Sequence, residues 1–265
     1  MPGNPAAPWT APDREALRAP ADELRRRPLP ALAREPLTRL IIRGGLLAGR
    51  GLIHEVHGAE HVTAPAGAFV LTPSHGTRHE ALLFPILVAA LRGGRIVPFL
   101  ADWNFAMIPV VGLVMRRGRC IFLTRKPAKP AFLNVFRPLF AGKVPAFERA
   151  RRLLAAGSPV GVFPEGTVNA DSRRLLRGHS GAAQLSLQTG APVVPAGLRY
   201  HRHALDGRIH PRAPFTVVFG PPMVPPATAG EPELGLVRDW HQAVMQEIAR
   251  LAGRGWAPDH HRKKS

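Results

Sequence analysis

Seven short β-type runs, each bounded by glycine or proline, constrain this chain more than any other feature. They are "HEVHG" (54–58), "GAFVLTP" (67–73), "RIVPFL" (95–100), "GRCIFL" (118–123), "PVGVFP" (159–164), "PVVPAGL" (192–198) and "FTVVFG" (215–220). Helical runs fit between several of them, at 80–91, 145–156 and 178–188. A last one lies within 233–251, where Val237, Trp240, Val244, Ile248 and Leu251 recur at helical spacing. Such alternation predicts an α/β fold, with about seven strands in a mixed, largely parallel sheet flanked by helices. At 265 residues the chain can bury a sizeable core, and it carries no internal repeat.

Only the ends read as irregular. Residues 1–36 form a Pro/Arg-rich arm with a short helix across 13–27, and 226–265 hold the last helix and a basic tail. Between arm and core, "LTRLIIRGGLLAGRGL" (37–52) reads as an amphipathic helix. At about 100° per residue Arg39, Arg43 and Arg50 fall close together, while Leu37, Leu40, Ile41, Leu47 and Leu52 lie mostly opposite; Ile42 and Leu46 break the pattern. It is either a basic helix on a membrane surface or a helix packed on the core.

Charge narrows the partners. Lys plus Arg number 36 against 18 Asp plus Glu, a formal net of +18, so the surface attracts anions such as phosphorylated metabolites, nucleic acid or anionic headgroups. Arginine is the main contributor, and a coding bias towards Arg, Ala, Gly and Pro produces the same count. Cys120 is the only cysteine, which excludes an intramolecular disulfide and points to a reducing compartment. The first residues lack the apolar segment of an export signal, and the longest apolar runs fall short of the roughly 20 residues a spanning helix needs.

Chemistry concentrates at two strand ends. His75 follows the run at 67–73, and Glu80 comes five residues later. Inside one helix they would stand about 140° apart, so partnership requires His75 in the turn and Glu80 in the first helical turn. A carboxylate on one imidazole nitrogen leaves the other free to take a proton from a hydroxyl. Two plainer readings compete: Thr77 and Glu80 have the spacing of a capping box, and His75 with His79 supplies two of the ligands a metal needs. The second strand end is "VGVFPEGT" (160–167), where Gly166 permits close approach and the following amides can cradle an anion. Arg173, Arg174 and Arg177 lie downstream.

Four ordered blocks, "SHGTRHE" (74–80), "GRCIFLTRK" (118–126), "FPEGT" (163–167) and "GAPVVPAG" (190–197), resemble those of the glycerolipid acyltransferases of the lysophosphatidic acid and glycerol-3-phosphate type. The resemblance covers about residues 37–225 and makes 53–225 an acyltransferase core. It implies transfer of a fatty acyl group from acyl-CoA or acyl carrier protein to a hydroxyl of a glycerophospholipid precursor, in phospholipid biosynthesis, with no cofactor or metal. His75 would be the general base and Glu80 its orienting carboxylate. Arg125, Glu165, Gly166 and Thr167 would bind the phosphorylated acceptor, and amides near Gly166 the thioester oxyanion. The implied location is cytoplasmic, at the inner face of a membrane.

Three departures accompany the resemblance. Glu80 stands where the family usually has Asp. Val168 and Asn169 replace the usual Arg-Ser, so Arg173, Arg174 or Arg177 must supply the missing cation. The segment 127–145 is lengthened and carries Phe132, Val135, Phe136, Leu139 and Phe140 among basic residues, which suits membrane contact, an acyl-chain wall or a helical lid. The apolar runs 81–91 and 106–115 are candidate linings of an acyl channel. Rival readings are a nucleic-acid-binding protein, which leaves the four blocks unexplained, a metal-dependent hydrolase using His75 and His79, and a lipid- or acyl-binding protein of the same fold without catalysis.

Overall fold

The computed structural model describes residues 16–18, 20–64, 67–124, 126–128, 131–201, 207–228 and 230–260. Its strands are β1 (Leu17–Arg18), β2 (Ile53–His57), β3 (Val70–Pro73), β4 (Leu100–Asp102), β5 (Ile121–Leu123), β6 (Val160–Gly161), β7 (Val193–Tyr200) and β8 (Phe215–Phe219). The helices are α1 (Pro20–Arg26), α2 (Pro36–Ala48), α3 (Glu60–Thr63), α4 (Glu80–Leu91), α5 (Pro109–Arg117), α6 (Ala146–Ala155), α7 (Gly181–Thr189) and α8 (Leu234–Ala252), with 3₁₀ turns at Trp103–Met107 and Ala131–Leu139 among the rest.

The fold is the expected mixed α/β. Its main sheet has six strands in the order β1-β2-β8-β7-β3-β6, and β4 pairs with β5 beside it. Parallel pairs β2/β8, β3/β7 and β3/β6 outnumber the antiparallel β1/β2 and β7/β8. The two sheets meet where the Gly161 amide donates to the Pro98 carbonyl at 2.8 Å. A Cβ on Gly161 would sit 2.5 Å from the Phe99 ring, so only glycine admits that crossing. Pro98, which cannot donate to a ladder, explains why the run at 95–100 becomes strand only at Leu100.

Side chains alternate across the sheet and divide the core in two. Leu71, Val194, Ala196 and Leu198 face Leu24, Ile42, Leu46, Phe84 and Leu87 of α1, α2 and α4. Val70 and Val193 face Leu154, Leu185, Val244, Met245 and Ile248 of α6, α7 and α8.

The described parts of both terminal segments belong to this fold, and residues 261–265 of the expected basic tail lie outside the described residues. The described part of the expected arm supplies edge strand β1 and helix α1, with Ala21, Leu24, Leu29 and Leu32 buried; residues 1–15 lie outside the described residues. At the other end Trp256 donates to the Leu176 carbonyl at 3.1 Å and the Arg177 amide to the His260 carbonyl at 2.7 Å, so the chain after α8 straps residues 175–177.

α2 reverses the expected helix faces. Thr38, Ile42 and Leu46 are its buried residues, whereas Leu40 and Leu47 are 66% and 50% exposed. Glycines decide this: a Cβ on Gly45 would sit 2.5 Å from Ile86 of α4, so the Gly45 face is the one that approaches α4 closely. The helix thus packs on the core through the residues that broke the pattern and presents leucine outward.

Candidate active site

β3 lies between β6 and β7, and the chain leaves it still anchored: the Ser74 amide donates to the Ala196 carbonyl at 3.0 Å, and the Ser74 hydroxyl accepts from the Leu198 amide at 2.9 Å. His75 therefore emerges at the carboxyl end of a central parallel strand, where open α/β sheets bind ligands. Its Nδ1 lies 2.8 Å from Glu80 Oε1. Glu80 opens α4 and is 0% exposed. The two residues meet as the turn-to-helix reading requires.

Donors surround that carboxylate. Oε1 also accepts from the Gly76 amide, and Oε2 from the Thr77 hydroxyl at 3.2 Å and from the Tyr200 hydroxyl. The rival capping box does not form, because Glu80 reaches the amide of Gly76 rather than that of Thr77 and the helix begins after His79 without a side-chain cap. A carboxylate is an acceptor at both oxygens, so the imidazole nitrogen facing it carries the proton and Nε2 is left as the basic nitrogen. His79 turns away, its Nδ1 3.1 Å from the Pro211 carbonyl. Among the described residues no three His, Cys, Asp or Glu side chains gather as metal ligands.

Glu165 takes a different place from the one expected. It is 3% exposed and does not line the cavity described below. Its Oε1 accepts the His75 amide at 2.9 Å; its Oε2 accepts Asn169 Nδ2 at 2.8 Å and the Leu176 amide at 2.9 Å. The Asn169 amide donates to the His75 carbonyl at 2.9 Å. Both backbone groups of His75 are thus held by the 165–169 turn. Burial raises the Glu165 carboxyl above the usual range, opposed by the Leu176 amide and by Arg254. A buried carboxylate needs such donors, and here they occupy both Glu165 oxygens, which hold the His75 backbone and the 165–176 segment.

The remaining expected substrate contacts divide. Gly166, at φ +63°, lines the cavity, and a Cβ there would meet the His179 ring at 2.7 Å. Its amide closes the turn on the Phe163 carbonyl at 3.0 Å, which removes it as an oxyanion donor. Thr167 is half-buried and outside the lining. Arg173, Arg174 and Arg177 are exposed and outside the lining as well, because their segment is strapped to residues 255–260. Arg125 lies outside the described residues. The basic side chains lining the cavity are Arg78, Arg117 and Lys126, with the imidazoles of His79 and His179 beside them. Lys126 and His179 gather at the 164–166 turn: Lys126 Nζ is 3.5 Å from the Gly166 carbonyl, and the His179 amide donates to the Pro164 carbonyl at 2.8 Å. The Lys126 carbonyl is pinned by the buried Trp103 Nε1 at 2.9 Å. His179 has no sequence signal beyond standing just before α7.

The cavity itself measures about 1170 Å³. From His75, whose ring lies 4.6 Å from that of Phe163, it runs along Ala81, Leu82, Pro85, Ile86 and Ala89 on one face of α4 and Ile108, Val111, Val114 and Met115 from α5 and its approach. Both apolar runs named from the sequence therefore contribute walls. Ile41 and Ile42 of α2 close another side, and Cys120 lines it with its thiol pushed up to about 11 by burial. An imidazole paired with a carboxylate at one end of a long apolar cleft suits a ligand with a polar head and a hydrocarbon tail.

Comparison with known proteins follows the same lines. A family model described as "Acyltransferase" matches residues 53–199. Among solved structures the chain is similar to the 1-acyl-sn-glycerophosphate (LPA) acyltransferase PlsC from Thermotoga maritima, with a TM-score of 0.55 and 20% identity, covering 89% of this chain and 88% of that one. That likeness is one of fold. No curated protein matches the sequence.

Proposed function

The chain belongs to the acyltransferase family, and from that premise we propose that it moves a fatty acyl group from acyl-CoA or acyl carrier protein to a hydroxyl of a glycerophospholipid precursor such as 1-acyl-glycerol-3-phosphate. The observation that carries this reading is the His75–Glu80 pair, 2.8 Å apart, at the mouth of the apolar cavity. His75 Nε2 takes the proton of the acceptor hydroxyl as its oxygen attacks the thioester carbonyl. The carbon–sulfur bond then breaks, and the proton passes from His75 to the departing thiolate. Lys126, Arg78 and His179 receive the acceptor's phosphate, and the walls from α4 and α5 receive the acyl chain.

Membrane access fits the surface. Among the described residues no helix is long and apolar enough to cross a membrane. Elements bordering the cavity or its flanks nevertheless expose Leu40 and Leu47 of α2, Val110 and Leu113 of α5, and Phe132, Val135 and Leu139 of the 131–139 turn. Arg43, Arg116, Arg117, Arg137 and Lys143 stand exposed among them. Apolar side chains ringed by cations match an anionic bilayer surface, from which the lipid acceptor enters and to which the product returns.

The test is thiol release from long-chain acyl-CoA or acyl carrier protein with a panel of hydroxyl acceptors. Acceptor-dependent release that falls by about 10²- to 10⁴-fold in His75→Ala is expected. Absence of release with every donor and acceptor pair overturns the reading.

A further inference from the structure

Glu80 makes contact with His75 through one oxygen, and a glutamate held at one oxygen is poorly fixed. Its last torsion is broad and roughly two-fold, so the carboxylate plane turns freely unless the second oxygen is anchored. In this protein that oxygen has two donors, the Thr77 hydroxyl at 3.2 Å from the same loop and a hydroxyl from a strand far along the chain, which ties the carboxylate to the sheet. Tyr200, the last residue of β7 and 6% exposed, donates its hydroxyl to Glu80 Oε2 from 120 positions away. The same hydroxyl oxygen accepts the Gly76 amide at 3.1 Å. Gly76 also donates to Glu80 Oε1, so its amide, the carboxylate and the phenol form one closed cluster joined to His75 through Nδ1.

Two further observations show that the phenol is seated rather than merely nearby. A Cβ on Gly76 would lie 2.5 Å from the Tyr200 hydroxyl, so the space a side chain would need is filled by that group. The buried Arg254 guanidinium lies over the Tyr200 ring at 5.1 Å from its centroid. A cation on the ring face polarises the phenol and strengthens its hydroxyl as a donor to a carboxylate.

We propose that Tyr200 is a positioning residue that locks the Glu80 carboxylate in the plane from which it holds His75. The proposal rests on the acyl-transfer reading for its kinetic consequence, while its geometric consequence stands alone. Tyr200→Phe keeps the ring, its packing and the overlying guanidinium, and removes only the oxygen.

The experiment compares wild type, Tyr200→Phe, Glu80→Gln and the double variant. In acyl transfer, Tyr200→Phe lowers kcat by roughly ten- to a hundredfold, the loss of one hydrogen bond to a charged group, with KM for the thioester unchanged. The double variant is no slower than Glu80→Gln. An unchanged kcat, a loss confined to KM, or single losses that multiply in the double variant each overturn the proposal. Alongside, proton NMR follows the His75 Nδ1–H resonance, identified by its absence in His75→Ala. In Tyr200→Phe it shifts or broadens through faster exchange, and an unaltered resonance overturns the proposal even if the wild-type protein transfers no acyl group. Loss of all acyl transfer in wild type with a Tyr200-dependent resonance instead overturns the acyltransferase reading alone.

Discussion

His75 is the residue on which the site turns, and most of what holds it lies outside its own loop. Glu80 orients the ring at 2.8 Å, while Glu165 and Asn169 take both of its backbone groups. Glu165 accepts three donors with two oxygens, a pattern that glutamine cannot repeat because one oxygen becomes an NH₂. Glu165→Gln therefore leaves a buried donor facing a donor. It lowers stability by about 1–3 kcal/mol in denaturant titration and lowers kcat with it, because the His75 backbone loses a holder. An unchanged midpoint with unchanged kcat but a raised acceptor KM would return Glu165 to the substrate-contact role that the family resemblance implies. The turn motif reads as an exposed anion cradle since nothing in eight residues shows that the carboxylate points inward, toward a strand 90 residues earlier.

Among the elements, α4 was the most legible and α2 the least. The apolar run 80–91 is helical from Glu80 to Leu91, as its length implies, and it accommodates Pro85 in its interior. It is apolar all round because one side meets the sheet and the other meets the cavity and α2. α2 misled because a helical wheel ranks side chains by polarity, whereas its docking face was chosen by the absence of side chains at Gly45 and Gly49. The lengthened segment 127–145 resolves similarly: its 131–139 turn buries none of its residues, and Phe132, Val135 and Leu139 are 71%, 72% and 78% exposed. Nothing in the core rests on them. Replacing all three by serine leaves the thermal midpoint unchanged but reduces sedimentation with vesicles containing anionic phospholipid, and raising salt weakens the wild-type binding that remains. Loss of folding stability in that variant would show the turn to be a packed lid instead.

Over the whole molecule, the site is completed by chain outside the residues 53–199 that match the family model. α8 lies directly against β7, where a Cβ on Gly197 would sit 2.2 Å from the Ala252 amide nitrogen. Two residues later comes Arg254, buried between Tyr200, Glu165 and Glu80. Gly197→Ala therefore forces α8 off the strand. It costs about 1–3 kcal/mol or more in stability, read as a fall in the denaturant midpoint, and reduces kcat as Arg254 is displaced. A full midpoint with full activity would mean that α8 is dispensable to the site. The sequence alone determined the alternation of strands and helices and the helix at 80–91, and it offered the pairing of His75 with Glu80 beside the capping box and the metal pair. Each of these depends on residues within a turn or two of one another, and local spacing encodes them. Only the tertiary structure decided which cations reach the cavity, that Glu165 faces His75, and that Tyr200 and Arg254 support Glu80. Those contacts join positions on the order of a hundred residues apart, and they exist because the order β7-β3-β6 sets three strand ends side by side. Strand order follows from which faces can be buried together, a property of the assembled core that no local spacing contains.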